Sequence, residues 1–290
     1  MSALLSFVFG GKVMSYQALY RVYRPQTFST VIGQETIART LVNALRQNRL
    51  AHAYLFCGPR GTGKTSTSKI LAKAVNCLDP QNGEPCNHCE NCRAINEDRF
   101  MDVVEIDAAS NRGIDEMRSI REQVRFAPAA GKRKVYIIDE VHMLTTEAFN
   151  ALLKTLEEPP DHVLFILATT DPQKIPPTVL SRTQRFDFRR ITPRAIADHL
   201  REICLKEAIQ ADDAALSLIA SSASGGMRDA VSLLDQAIAF AGNTLTAADV
   251  VQITGGISEE ALLRLDEALL NADHSALFTR LTALFDDGAD

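Results

Sequence analysis

The chain has 290 residues, with 31 Lys and Arg against 36 Asp and Glu, a formal net charge of −5 and 46% hydrophobic residues. That composition excludes a disordered tail, a collagen-like repeat and a disulfide-dense mini-protein, and the mild acidity argues against coating nucleic acid by bulk charge. The length suits about two domains of ~150 residues, and no apolar run reaches the ~18 residues of a membrane helix.

At the N-terminus an apolar stretch runs from Leu4 to Phe9, but no basic residue precedes it and no small-x-small site follows, as a signal peptide requires. Residues 1–13 are therefore expected to be a disordered extension ahead of a second plausible start at Met14. From Val31 onward, short apolar runs alternate with amphipathic segments. Residues 53–57, 103–107, 135–139 and 163–169 are nearly continuous in apolar side chains, as strands covered on both faces of a parallel sheet are. Residues 64–75 and 146–158 repeat apolar positions at helical spacing, and the second stops at Pro159-Pro160. This alternation predicts a doubly wound α/β domain ending near Phe188. Beyond Thr192-Pro193, residues 195–209, 212–222, 227–241 and 246–253 read as helices with no strand among them, a small all-helical domain. Gly255-Gly256 then precedes a helical stretch at 258–283. One or two helices cannot bury a core alone, so this is expected to be the start of a third domain that Asp290 cuts short.

Gly58-Pro59-Arg60-Gly61-Thr62-Gly63-Lys64-Thr65 matches G-x4-G-K-S/T between a strand and a helix. The glycines let backbone N–H groups turn toward phosphate oxygens, and the helix N-terminus adds its positive end. Lys64 would reach the β- and γ-phosphates and the Thr65 hydroxyl would ligate Mg²⁺. An apolar strand ending in Asp139-Glu140 complements the loop: Asp139 can hold the Mg²⁺ water shell and Glu140 can orient an attacking water. Thr169 and Thr170 end the next strand, where a polar group could meet the water or the γ-phosphate, or could simply end the strand.

Cys77, Cys86, Cys89 and Cys92 lie within sixteen residues, in a turn-rich segment. Four soft ligands with two-residue spacers favour a tetrahedral, fully occupied and hence structural Zn²⁺ site. A pair of redox CxxC motifs, or His88 in place of one thiolate, are the alternatives. Reduced thiols fit a cytosolic setting. Cys57 and Cys204 read as core residues.

CGPRGTGKTS, the cysteine cluster, VEIDAASNRGIDEMR, KVYIIDEVHMLTTEAFNALLKTLEEPP, LATTDPQKIPPTVLSR and GGMRDAVSLLDQ occur in this order. Together they resemble the gamma/tau subunits of bacterial DNA polymerase III, the AAA+ ATPases of the sliding-clamp loader. The resemblance implies an AAA+ P-loop domain over 14–191 with a cysteine-zinc module at 77–92, a helical lid over 192–255 and an incomplete collar domain over 256–290. It implies an ATPase within the DNA-directed DNA polymerase III holoenzyme, a nucleotidyltransferase by membership, which uses ATP, Mg²⁺ and structural Zn²⁺ to load the clamp on primed DNA. The nucleotide set it implies is Val31, Ile32, Gly58, Pro59, Arg60, Gly61, Thr62, Gly63, Lys64, Thr65, Ser66, Thr170 as first sensor and Arg228 as lid sensor. Arg182 resembles the finger that enters a neighbouring subunit's site, and Arg112 a contact to the DNA backbone. The implied partners are the delta and delta-prime subunits, further gamma/tau copies, the beta clamp and primer-template DNA. Polymerase core and helicase would bind a C-terminal tail that this sequence lacks, and the setting is the nucleoid-associated replisome of a bacterial cytoplasm, with no membrane partner. Thr183 departs from the pattern where members often carry Cys. A nucleotide-free loader subunit akin to delta-prime would need a damaged phosphate loop, and another AAA+ motor would lack the cysteine insertion.

Overall fold

All four apolar runs form strands, and a fifth strand joins them. A computed structural model describes residues 16–255 and 259–286, so the expected extension at 1–13 lies outside the described residues. The described residues divide into two compact units: Pro25–Ala195 with Ser224–Met227, and those up to Arg24 with Ile196–Ala223 and those from Arg228 onward.

After the short helix α1 (Leu19–Val22), the first unit runs α2 (Glu35–Arg46), β1 (Ala53–Cys57), α3 (Lys64–Asn76), α4 (Glu90–Asn96), β2 (Val103–Asp107), α5 (Ile114–Gln123), β3 (Lys134–Asp139), α6 (Thr146–Glu157), β4 (Val163–Thr169), α7 (Pro177–Leu180) and β5 (Gln184–Asp187). The strands form one parallel sheet ordered β2-β3-β4-β1-β5. Successive strand residues face opposite sides. Leu55, Tyr136, Ile138, Phe165 and Leu167 pack with Met117 and Ile120 of α5 and Phe149, Leu152 and Leu156 of α6. Tyr54, Phe56, Val135, Ile137 and Ile166 pack on the other side with Ile37 and Leu41 of α2 and Ile70 and Leu71 of α3. Each such buried side chain contributes about 1.5–3 kcal/mol of transfer free energy, which fixes the strand ends as a rigid edge. The strand β5, which among the described residues pairs with β1 alone, escaped the sequence reading because it is short and largely exposed and carries the polar pattern QRFD, whereas the other edge strand, β2, keeps Val103, Val104 and Ile106.

The second unit holds most of α8 (Pro193–Lys206), then β6 (Gln210–Ala211), α9 (Asp213–Ser222), α10 (Met227–Ala241), β7 (Thr244–Leu245), α11 (Ala247–Thr254), α12 (Glu259–Leu270) and α13 (His274–Asp286). The expectation of no strand here is corrected, because β6 and β7 make a two-residue parallel pair. The stretch expected at 258–283 is two helices, broken where Ala272 takes φ +52°. Thr246 and Asp249 form a reciprocal capping box at the start of α11. On α12 and α13, Leu263, Leu270 and Phe278 stay exposed.

Candidate nucleotide site and cysteine module

The phosphate loop leaves β1 at Cys57 and enters α3 at Lys64. Gly58 has φ +149°, and a Cβ there would lie 2.4 Å from the Phe188 carbonyl oxygen, so only glycine fits. Gly63 caps α3 at φ +99°, beside Val31, whose Cγ1 would be 3.4 Å from an added Cβ. The first N–H groups of α3 lack intrahelical acceptors and sit at its positive end. Thr62 Oγ1 donates to the Pro59 carbonyl at 2.8 Å and closes the turn. Arg60 is exposed, Pro59, Gly61 and Ser66 are half-buried, and Val31 is buried beside half-buried Ile32.

Lys64 is 6% exposed, and its Nζ donates to the carbonyls of Gly58 and Pro59, each at 2.8 Å. Burial lowers its pKa, while the charges of Glu140 and Asp139 oppose the shift. Thr65 Oγ1 donates to Asp139 Oδ2 at 2.6 Å, joining α3 to the carboxyl end of β3. Asp139 Oδ1 accepts from the Glu140 N–H at 2.9 Å. A hydroxyl and a carboxylate in contact are the hard oxygen donors Mg²⁺ takes alongside water and phosphate, so the pair fits that ion.

Glu140 adopts φ +47°, left-handed for a residue with a side chain, at a cost of about 1–3 kcal/mol. Its Oε2 accepts from Thr170 Oγ1 at 2.9 Å and from the Thr170 N–H at 3.2 Å. His142 Nδ1 lies 3.3 Å from the same oxygen and 3.0 Å from Thr169 Oγ1. The sequence reading missed His142, because one His in a short turn carries no signal until the turn folds it back toward Thr169. It also missed Gln34, 4% exposed, whose side chain donates to Arg189 O at 2.7 Å and accepts from Arg189 N at 3.2 Å.

Thirteen residues along α3, about 20 Å from the loop by helical rise, Cys77 ends the helix. The sulfurs of Cys77, Cys86, Cys89 and Cys92 lie within 4.8 Å of one another. Zinc with ~2.3 Å bonds to four sulfurs spaces them by ~3.8 Å, so the four thiols fit a structural zinc. For Cys89, burial raises the pKa but the Leu78 and Cys92 N–H groups outweigh it and lower the thiol to about 6. Burial pushes Cys77 and Cys92 upward. His88 turns its Nδ1 to the Cys86 carbonyl at 2.9 Å and stands outside the sulfur cluster.

Residues 33–192 match the family model described as "DNA polymerase III, delta subunit", and residues 195–243 match "DNA polymerase III clamp loader subunit, ATPase lid domain". The chain belongs to the DNA polymerase III clamp-loader subunits. It is 57% identical to DNA polymerase III subunit tau of Bacillus subtilis (strain 168) over 277 residues, 96% of this chain and 49% of that protein. It is 47% identical to subunit tau of Escherichia coli (strain K12) over 276 residues, 95% of this chain and 42% of that one. The chain thus spans about half the length of these curated relatives. Among solved structures, the Thermotoga maritima RuvB Holliday junction branch migration motor aligns at a TM-score of 0.58 and 19% identity, over 85% of this chain and 79% of that one. At that identity the likeness concerns the AAA+ fold alone.

Within this clamp-loader chain, the fold gathers Lys64, Thr65, Asp139, Glu140 and Thr170 at the carboxyl edge of β1, β3 and β4. Arg182 stands apart, its Nη2 2.8 Å from Glu157 Oε1 and its Nη1 donating to the Thr178 carbonyl at 2.8 Å. Arg112 is exposed and donates to the Ala109 carbonyl at 3.0 Å. Arg228 belongs to the second unit, with its guanidinium 5.1 Å over the Tyr20 ring. Among the described residues, no helix is long and apolar enough to cross a membrane.

Proposed function

We propose that the chain is the ATP-hydrolysing gamma/tau-type subunit of a bacterial DNA polymerase III clamp loader, which uses ATP to load a sliding clamp onto primed DNA in the cytoplasmic replisome. The observation that carries this reading is the 2.6 Å bond from Thr65 to Asp139, beside a Glu140 carboxylate aimed by Thr170. Thr65 and Asp139 would hold Mg²⁺, which would supply neutralisation of the charge that develops on the phosphates. Lys64 trades its loop carbonyls for the β- and γ-phosphate oxygens, and the loop N–H groups hold the rest of the triphosphate. Glu140 accepts a hydrogen bond from the attacking water and aligns it, and Thr170 steers that carboxylate. Val31 and Ile32 line the adenine, with Gly58 to Ser66 around the phosphates.

Beyond the loop, Arg228 acts as lid sensor, Arg182 stabilises charge in a neighbouring subunit's site, and Arg112 meets the DNA backbone without reading sequence. Cys77, Cys86, Cys89 and Cys92 hold a structural zinc. The lid spans 192–255, and residues 256–290 begin a collar that joins delta, delta-prime and further gamma/tau copies. The exposed Leu263, Leu270 and Phe278 support a face completed elsewhere. The family model over 33–192 carries the name of the delta subunit, but an intact Gly63-Lys64-Thr65 bonded to Asp139 favours a nucleotide-binding subunit over a nucleotide-free one.

The test is the steady-state ATPase rate of this chain alone, then with delta, delta-prime, clamp and primed DNA, with Lys64→Ala as control. A weak basal rate, stimulated by clamp and DNA and lost in the control, is expected. No stimulation in an assembled complex refutes the loading mechanism.

A further inference from the structure

Glu84 lies in the loop between Cys77 and Cys86, and nothing in the phosphate site requires it. Its carboxylate nevertheless reaches 56 positions back along the chain: Oε2 accepts from the Phe28 N–H at 2.7 Å, and Oε1 accepts from the Ser29 N–H at 2.9 Å. A second tie runs through Lys73, which is 1% exposed. Its Nζ donates to the Gln26 carbonyl at 3.1 Å and to Gln26 Oε1 at 2.6 Å, and also to Asn87 Oδ1 at 2.7 Å, between the ligand cysteines. Gly83, at φ +87°, presses the same loop onto α2, where an added Cβ would lie 2.9 Å from the Val42 carbonyl. Residues 26–29 are thus bonded at both ends to the cysteine module or to the lysine that grips it.

That segment leads directly into Val31, buried against Gly63 of the phosphate loop. Charge-assisted bonds to backbone N–H groups fix a main chain more firmly than neutral ones. A segment held before the ligand arrives pays less ordering entropy on binding.

We infer that the cysteine module is a brace for the base-binding segment: through Glu84 and Lys73 it fixes residues 26–31 and thereby sets the affinity for the nucleoside part of the nucleotide. Glu84 and Lys73 are positioning residues, acting through Val31 and Ile32. The inference rests on the proposed reading of those two residues as the adenine lining.

The test compares ATP with inorganic tripolyphosphate, each competing against a fluorescent ATP analogue on the full chain, with zinc content measured in parallel. Glu84→Ala is expected to weaken ATP about tenfold and Glu84→Gln, which keeps one accepting oxygen, about threefold. Tripolyphosphate, which needs only the phosphate loop, stays within about twofold, and zinc remains bound. The isosteric Gln variant gives the same ordering where the Ala variant fails to fold. Unchanged ATP affinity in both variants overturns the brace alone, as does an equal loss for ATP and tripolyphosphate. A parent chain that binds no ATP overturns the nucleotide-site reading and the brace with it.

Discussion

Asp102 is the best single probe of how the sheet edge is held. It is 2% exposed, and its partners are backbone donors: its Oδ1 accepts from the Ala129 N–H at 2.8 Å, and its Oδ2 from the Ala130 and Gly131 N–H groups, each at 2.7 Å. Burial pushes this carboxyl's pKa up, but the three N–H groups outweigh it and hold the acid below its ordinary value. Hydrogen bonds to a charged group contribute about 1.5–3 kcal/mol each, but exposed Ala129 and Ala130 recover water when the acceptor goes. Asp102→Ala should therefore cost about 3–4 kcal/mol and Asp102→Asn, which keeps one acceptor, about 2. For a unit of this size each kcal/mol lowers Tm by about 2–4 °C, so the Ala variant should melt about 6–16 °C early. The sign with pH follows from the depressed folded pKa. The contribution is fully present above the unfolded value of ~3.9 and is lost as pH falls through the folded one. Differential scanning calorimetry from pH 7 down to pH 3 should show a constant gap between parent and Asp102→Ala that narrows below ~4. A gap under about 2 °C at pH 7, or one that does not narrow in acid, refutes the reasoning.

Gly58→Ala forces a side chain into φ +149° and against the Phe188 carbonyl, at a cost of about 3 kcal/mol or more, and should abolish ATP binding measured by fluorescence titration. Retained ATP binding at the parent's melting temperature would sink that account of the loop. Cys92→Ser removes a fully buried thiol from the cluster; atomic absorption should find zinc falling from one per chain to near none, with a lower Tm for the first unit. Full zinc retention would show that Cys92 is no ligand.

How much of this was legible beforehand depended on what each residue's neighbours demand. The strands β1, β3 and β4 announced themselves because both faces of a central parallel strand are buried, leaving Val, Ile, Leu and Phe in unbroken runs, and the edge strand β2 was legible only through Val103, Val104 and Ile106. The short, exposed strand β5 and the two-residue pair of β6 and β7 have no such requirement and left no pattern. In the site, Lys64, Thr65, Asp139 and Glu140 were readable because the chemistry fixes residue type and spacing along the chain. His142, Gln34 and Glu84 were not. Each gains its meaning from a partner 27, 155 or 56 positions away, set by the packing of the sheet and not by local spacing.

Arg182 and Glu140 illustrate two strengths of restraint on groups that hydrolysis is proposed to use. The Arg182 side chain is one-third exposed and paired with Glu157 at 2.8 Å, itself half exposed. Such surface pairs contribute about 0–1 kcal/mol, so Arg182 leaves Glu157 at small cost when a neighbouring subunit presents phosphate charge. Glu140 is held by two donors from Thr170 inside the site and by a strained backbone, a firmer restraint. Glu157→Ala should then change turnover of an assembled loader by no more than about fivefold, the factor that ~1 kcal/mol allows. Arg182→Ala, which removes the charge itself, should lower the same rate about 10³-fold while leaving ATP affinity of the isolated chain unchanged. A Glu157→Ala effect as large as that of Arg182→Ala would mean that the ion pair, and not the site's own geometry, gates the finger.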